Sequence, residues 1–196
     1  MVTKRKTQSL INVAIFASGH GSNALKIIQY FRNSNRIKIS LVVCNNPAAG
    51  VLKIAAEHKI PVLLIERQNF NQTGYVSELK NRQIGFIVLA GFLWKVPPIL
   101  INEFRNRIIN IHPALLRAYG GKGMYGNAVH EAVIAAKEKQ SGITIHYVDD
   151  LYDHGKIVFQ KTCSIDENET VDSLAKKIHE LEHEYYAKQI EYLLEK

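Results

Sequence analysis

Residues 11–23 read INVAIFASGHGSN, and this stretch decides the architecture. Residues 11–17 form an apolar run of strand length. SGHGSN at 18–23 then turns the chain, and residues 23–32 carry helical periodicity with Leu25, Ile28 and Phe31 on one side. A buried strand passing through a glycine turn into an amphipathic helix is the unit from which parallel sheets are built. Glycine lets the backbone turn tightly and approach a ligand closely. The N–H groups and dipole at the start of the following helix attract phosphate, and Ser22 and Asn23 add side-chain donors. No third glycine completes the dinucleotide pattern, which argues for a single phosphate rather than a dinucleotide. A plain strand-to-helix turn capped by Ser22 or Asn23 is the other reading the local sequence allows.

The same alternation continues outward from this unit. Strand-like runs recur at 38–44, 61–65, 86–90 and 107–111, with helical patterns at 48–59, 75–82 and 98–104. Strands apolar on both faces, separated by helices, predict an α/β fold: a doubly wound, mostly parallel central sheet with helices on both faces and ligands at the carboxyl ends of its strands. The second half differs. A glycine-rich loop (118–127) leads to a helix (128–139). Two strands (142–148 and 156–163) then flank an acidic turn at 149–155, and a long helix (170–194) has Leu174, Ile178, Leu181 and Tyr185 on one stripe. Residues 167–170 offer it a capping start. No repeat, low-complexity segment or linker divides the chain, so a short tail (1–10) and one domain (11–196) are expected.

Composition narrows the function. The chain has 196 residues, 46% of them hydrophobic, enough for a core without staples. Its two cysteines, Cys44 and Cys163, lie in apolar runs outside any C-x-x-C pair and read as packing residues. The basic start MVTKRKTQSL is followed by no apolar stretch of signal or membrane-spanning length, so a cytoplasmic location is expected. The net charge of +7 is spread along the chain, with no dense basic helix and no RNA-binding or zinc-finger motif. Such a charge suits gathering small anions better than nucleic acid. Among the eight histidines only His179 and His183 are spaced as helical metal ligands can be, and they lack a zincin's acidic partner, so no metal is expected.

The candidate chemistry lies at a strand end. In NIHP, Asn110 and His112 are two apart and project from one side of the strand into the expected crevice. His transfers protons near neutral pH, and an Asn amide can hold the oxyanion formed when a carbonyl is attacked. His146 ends a later strand and has a weaker claim. Asp153, in the turn beyond it, would raise the His112 pKa and favour its charged form if it lay beside the ring. Taken singly, each has a bland alternative as a core histidine, a turn former or a surface carboxylate.

Together, SGHGSN, VLAGFLWKV, NIHPALL and GITIHYVDDLYDHGKIV resemble the phosphoribosylglycinamide formyltransferases of the folate-dependent formyltransferase superfamily, over about residues 12–184. The resemblance implies a Rossmann-like formyltransferase fold. It also implies transfer of a formyl group from 10-formyltetrahydrofolate, as co-substrate, to the amine of glycinamide ribonucleotide in de novo purine biosynthesis. Carried over residue by residue, Gly21, Ser22 and Asn23 would hold the ribonucleotide phosphate and Glu182 would contact the ribonucleotide. Asn110, His112 and Asp153 would be the catalytic trio. Leu93, Trp94, Lys95 and Val96, with Asn110, Asp149 and Asp150, would line the folate pocket. The implied partners are these two small molecules, with no nucleic acid and no membrane, on a monomer or homodimer. The sequence departs from the family at Trp94, where arginine is common, at Arg117, where proline is common, and in the loop GGKGMYGNAVH. A folate-binding arginine of some members has Gln72 as its nearest aligned position. The four glycines of 118–126 suit a lid. A formyltetrahydrofolate hydrolase (deformylase) would carry the same trio without needing the phosphate loop. A non-catalytic folate- or nucleotide-binding protein would need no trio at all.

Overall fold

A computed structural model describes residues 10–196, and the expected tail, apart from an exposed Leu10, lies outside the described residues. The chain forms β1 (Ile11–Ala17), α1 (Ser22–Phe31), β2 (Ile37–Cys44), α2 (Val51–Glu57), β3 (Val62–Leu64), α3 (Thr73–Asn81) and β4 (Ile84–Leu89). It continues through α4 (Pro98–Glu103), β5 (Ile108–His112), α5 (Asn127–Ala135), β6 (Gln140–Tyr147), β7 (Ile157–Ser164) and α6 (Val171–Glu195). The strands make one seven-stranded sheet in the order β3-β2-β1-β4-β5-β6-β7. The first five are mutually parallel, and β6 and β7 run antiparallel beside β5.

β1 shows why the fold is doubly wound. Its residues alternate between the two faces of the sheet. Val13, Ile15 and Ala17 join Ile27, Phe31, Ile178 and Ile190 from α1 and α6. Ala14 and Phe16 join Leu79, Leu100 and Phe104 beneath α3 and α4. Each fully buried Val, Ile, Leu or Phe side chain among these contributes about 1.5–3 kcal/mol. Order reverses at β1, with β2 on one side and β4 on the other. A crevice therefore opens between the turns that leave β1 and β4. Ser18 closes its floor, accepting the Leu93 N–H on Oγ at 2.9 Å and donating its own N–H to the Gly91 carbonyl at 3.0 Å.

Local chemistry trims several expected boundaries. α2 starts at Val51 rather than 48, because the Asn46 side chain accepts the Ala48 N–H at 3.0 Å and holds 46–50 as a turn. α5 ends at Ala135, short of 139, where Lys137 takes a left-handed φ of 53°. α6 starts as expected, with Thr170 and Ser173 forming a reciprocal capping box. Cys44 is buried, Cys163 half-buried, and both are free. Among the described residues no helix is long and apolar enough to cross a membrane.

Candidate active site

A cleft of about 790 Å³ runs along the carboxyl ends of the strands and has two distinct ends. The loop end is built by the β1–α1 turn. Gly21 has φ 84°, and a Cβ there would come within 2.8 Å of Val51, so the position tolerates glycine alone. No side chain caps α1, which leaves the N–H groups of its first turn to a ligand. The donors expected from Ser22 and Asn23 instead engage α6. Ser22 Oγ lies 2.7 Å from His179 Nε2, and Asn23 Nδ2 donates to Glu182 Oε2 at 2.9 Å. Glu182, 6% exposed, also faces His179 Nδ1 at 3.2 Å. The hydrogen bond to Glu182 raises the His179 pKa, outweighing partial burial.

At the reaction end the three expected residues converge. Antiparallel pairing sets Asn110 directly opposite His146 and His112 opposite Thr144. The turn after β6 curls back to bring Asp153 over both. Asp153 Oδ2 is 3.5 Å from His112 Nδ1, and Oδ1 is 3.5 Å from both His146 Nε2 and Asn110 Nδ2. Gly121 N–H donates to Oδ2 at 2.9 Å. Burial pulls the Asp153 pKa up, but the neighbouring His146 and His112 rings and the Gly121 N–H together hold it below the ordinary value.

His112 corrects one expectation. Asp153 does lie beside it, yet its pKa is lowered, because burial (3% exposure) outweighs the carboxylate. The resting ring is therefore neutral. Its Nε2–H donates to the Tyr119 carbonyl at 2.6 Å, so the acceptor capacity remains on Nδ1, toward Asp153. His146, given the weaker claim, orients the trio. Its Nδ1–H donates to the Tyr147 carbonyl at 2.9 Å, leaving Nε2 to accept the Asn110 amide at 3.2 Å.

Beyond the trio the cleft meets an aromatic shelf. Phe92 and Trp94 pack edge-on with ring centroids 6.4 Å apart, Phe70 contacts both, and the Arg67 guanidinium lies 5.7 Å from the Trp94 ring. Leu93, Trp94, Lys95 and Val96 all line the cleft; Leu93 is exposed, and Val96 is anchored in the core. Lys95 Nζ stands 5.7 Å from the Tyr152 ring across the opening. Asp149 lines the cleft and pairs with His154 at 2.9 Å, whereas Asp150 does not reach it. Asp149 spends Oδ1 on the Leu151 N–H at 3.0 Å, forming a side-chain turn that puts Asp150 at the exposed tip. Arg117 donates to the carbonyls of Asp153 and His154, tying the strand-end loop to the acidic turn. Sequence reasoning missed His130 and His179 as cleft groups, and Tyr119 as the carbonyl partner of His112; only their spacing from the glycine loops and Glu182 hinted at them.

Residues 11–190 match the Formyl transferase family model. The chain is 35% identical to phosphoribosylglycinamide formyltransferase of Bacillus subtilis, over 92% of this chain and 93% of that protein. It is 37% identical to the chloroplastic phosphoribosylglycinamide formyltransferase of Vigna unguiculata over 93% of its length, and spans 61% of that longer relative. The crystal structure of phosphoribosylglycinamide formyltransferase from Bacillus halodurans superposes with a TM-score of 0.85 at 38% identity, covering 94% of this chain and 96% of that one. A doubly wound sheet with its cleft at the order reversal defines the class, and the chain belongs to the formyl transferase family.

Proposed function

We propose that this protein transfers the formyl group of 10-formyltetrahydrofolate to the amine of glycinamide ribonucleotide, a step of de novo purine biosynthesis, in the cytoplasm. One observation carries the reading: the phosphate-type loop and the Asn110–His112–Asp153 cluster line a single continuous cleft. In this reading the first-turn N–H groups from Gly21 to Asn23 hold the phosphate and Glu182 holds the sugar. The folate lies against Leu93–Val96, Asn110 and Asp149.

The amine attacks the formyl carbon, and negative charge collects on the former carbonyl oxygen. The Asn110 amide, held in orientation by His146, donates to that oxyanion. The attacking nitrogen gives up a proton to the Asp153–His112 pair. His112 suits this because it rests neutral, and the imidazolium it becomes has an acceptor at each nitrogen, the Tyr119 carbonyl and the Asp153 carboxylate. The proton then passes to the folate nitrogen as its bond to the formyl carbon breaks. No metal enters these steps, since the unprotonated amine is nucleophilic by itself. Holding both molecules in line supplies much of the rate. Residues 118–126 act as the lid, already tied to the trio through Tyr119 and Gly121. Their amide exchange is expected to slow when both ligands bind, and unchanged exchange would remove the lid.

The deciding assay follows release of deformylated folate with and without glycinamide ribonucleotide. Release that requires the ribonucleotide supports transfer. Release without it marks a hydrolase, and silence from folded protein marks a binding protein or another acceptor.

A further inference from the structure

The first half of α5 brings one more histidine to the cleft. His130 is 5% exposed and lines the cleft wall. Its Nδ1 is sealed from solvent and has no hydrogen-bond partner. Nε2 is the nitrogen left to face the cleft. Buried N–H groups without acceptors are rarer than buried acceptors without donors, so the proton belongs on Nε2 and the ring presents one donor. Charging the ring would create a second N–H, at Nδ1, with nothing to receive it. Burial lowers the His130 pKa, as do His112 and His179, against the opposing pull of Glu182. The positive end of α5 works in the same direction. His130 is thus a donor held neutral.

Its place gives that donor a task. It lies within electrostatic reach of Glu182 and His179 at the loop end and of His112 at the reaction end. On the proposed reading, the acceptor substrate runs from phosphate at the loop, through its sugar at Glu182, to the amine at Asn110 and His112. The group joining sugar to amine is an amide, and its carbonyl oxygen needs a donor once water leaves. We propose that His130 donates its Nε2–H to this amide carbonyl, fixing the amine against the formyl carbon and selecting acceptors that carry a carbonyl beside the amine. A neutral donor suits this better than a cation, which would repel the positive charge growing on the attacking nitrogen.

The inference rests on the formyl-transfer reading, and the experiment separates the two. Rates are measured at saturating 10-formyltetrahydrofolate with glycinamide ribonucleotide and with its analogue in which CH2 replaces the amide C=O. The enzymes are the wild type, His130→Phe (same bulk, no donor) and His130→Gln (a donor near Nε2). The wild type should prefer the carbonyl substrate. His130→Phe should lose about 10- to 100-fold in kcat/KM for it and show a preference smaller by the same factor, with the KM for folate unchanged. His130→Gln should recover most of both. A His130→Phe enzyme that discriminates as well as the wild type, or a loss that appears in the folate KM, overturns the role. If the variants do not fold, the wild type alone decides against it by accepting both substrates equally. A wild type that forms no product with glycinamide ribonucleotide overturns the transfer reading itself.

Discussion

His112 and His179 stand at opposite ends of one cleft, and their surroundings push the same side chain in opposite directions. His112 is sealed in β5, and burial lowers its pKa even with a carboxylate at 3.5 Å. His179 is half-exposed on α6, and Glu182 at 3.2 Å raises its pKa. On the proposed reading, the difference teaches what each end is built to meet. Buried groups with many mutual partners suit a charge that appears only during reaction. An open end with a raised-pKa histidine and free helix N–H groups suits an anion that arrives already charged.

The contrast breaks most sharply in catalysis. Replacing Asn110 with Ala should lower turnover by about 10²–10³ while leaving the KM for the ribonucleotide nearly unchanged, which steady-state kinetics would show. Asp153→Asn should slow turnover comparably and flatten the acid limb of its pH profile; an unshifted profile would dissociate Asp153 from the proton path. Glu182→Ala should act in the opposite sense, raising the ribonucleotide KM by about 10- to 100-fold with turnover at saturation largely kept. It also leaves buried Asn23 without its acceptor, so circular dichroism should accompany the kinetics.

Smaller effects sharpen the contrast through pH. The His112 pKa falls below its unfolded value near 6.5, so its contribution to stability is complete above that value and is lost as pH falls toward the lowered pKa. Asp153, also lowered, adds to this loss only in stronger acid. His179, raised, stabilises fully below 6.5 and loses that contribution as pH rises through its folded pKa. The melting temperature should therefore drop between pH 7 and 5, and less so in a folded His112→Asn variant. Last, His179→Gln should shift the melting temperature by less than about 3 °C, as expected for a half-exposed pair. It should also remove the loss of stability that begins just above pH 6.5.

Much of this was legible in the sequence because burial writes itself into apolar runs. Strands β1, β2, β4 and β5 lie where continuous apolar stretches and glycine turns place them, while β3 fills its expected stretch as an exposed strand and α2 starts late, and NIHP marks the carboxyl end of β5. Pairing is written less plainly. Nothing in GITIHY states that β6 runs antiparallel to β5, yet that direction alone sets His146 against Asn110. Contacts between residues far apart in the chain, such as Ser22 with His179, leave no periodic trace. Asp150 stands outside the cleft lining for a related reason: three acidic residues share one turn, and only its backbone path decides which face the cleft.

The hydroxyl of Tyr186, wholly buried on α6, donates to the Leu89 carbonyl at 2.8 Å and lies 3.4 Å from that of Ile109. It thereby pins α6 across the seam between β4 and β5. A ribosome delivers α6 only after every strand of this sheet has been made, so Asn110 and His112 are synthesised before Glu182 and His179. On the proposed reading, the growing chain thus acquires its reactive groups before its grip on the phosphorylated substrate.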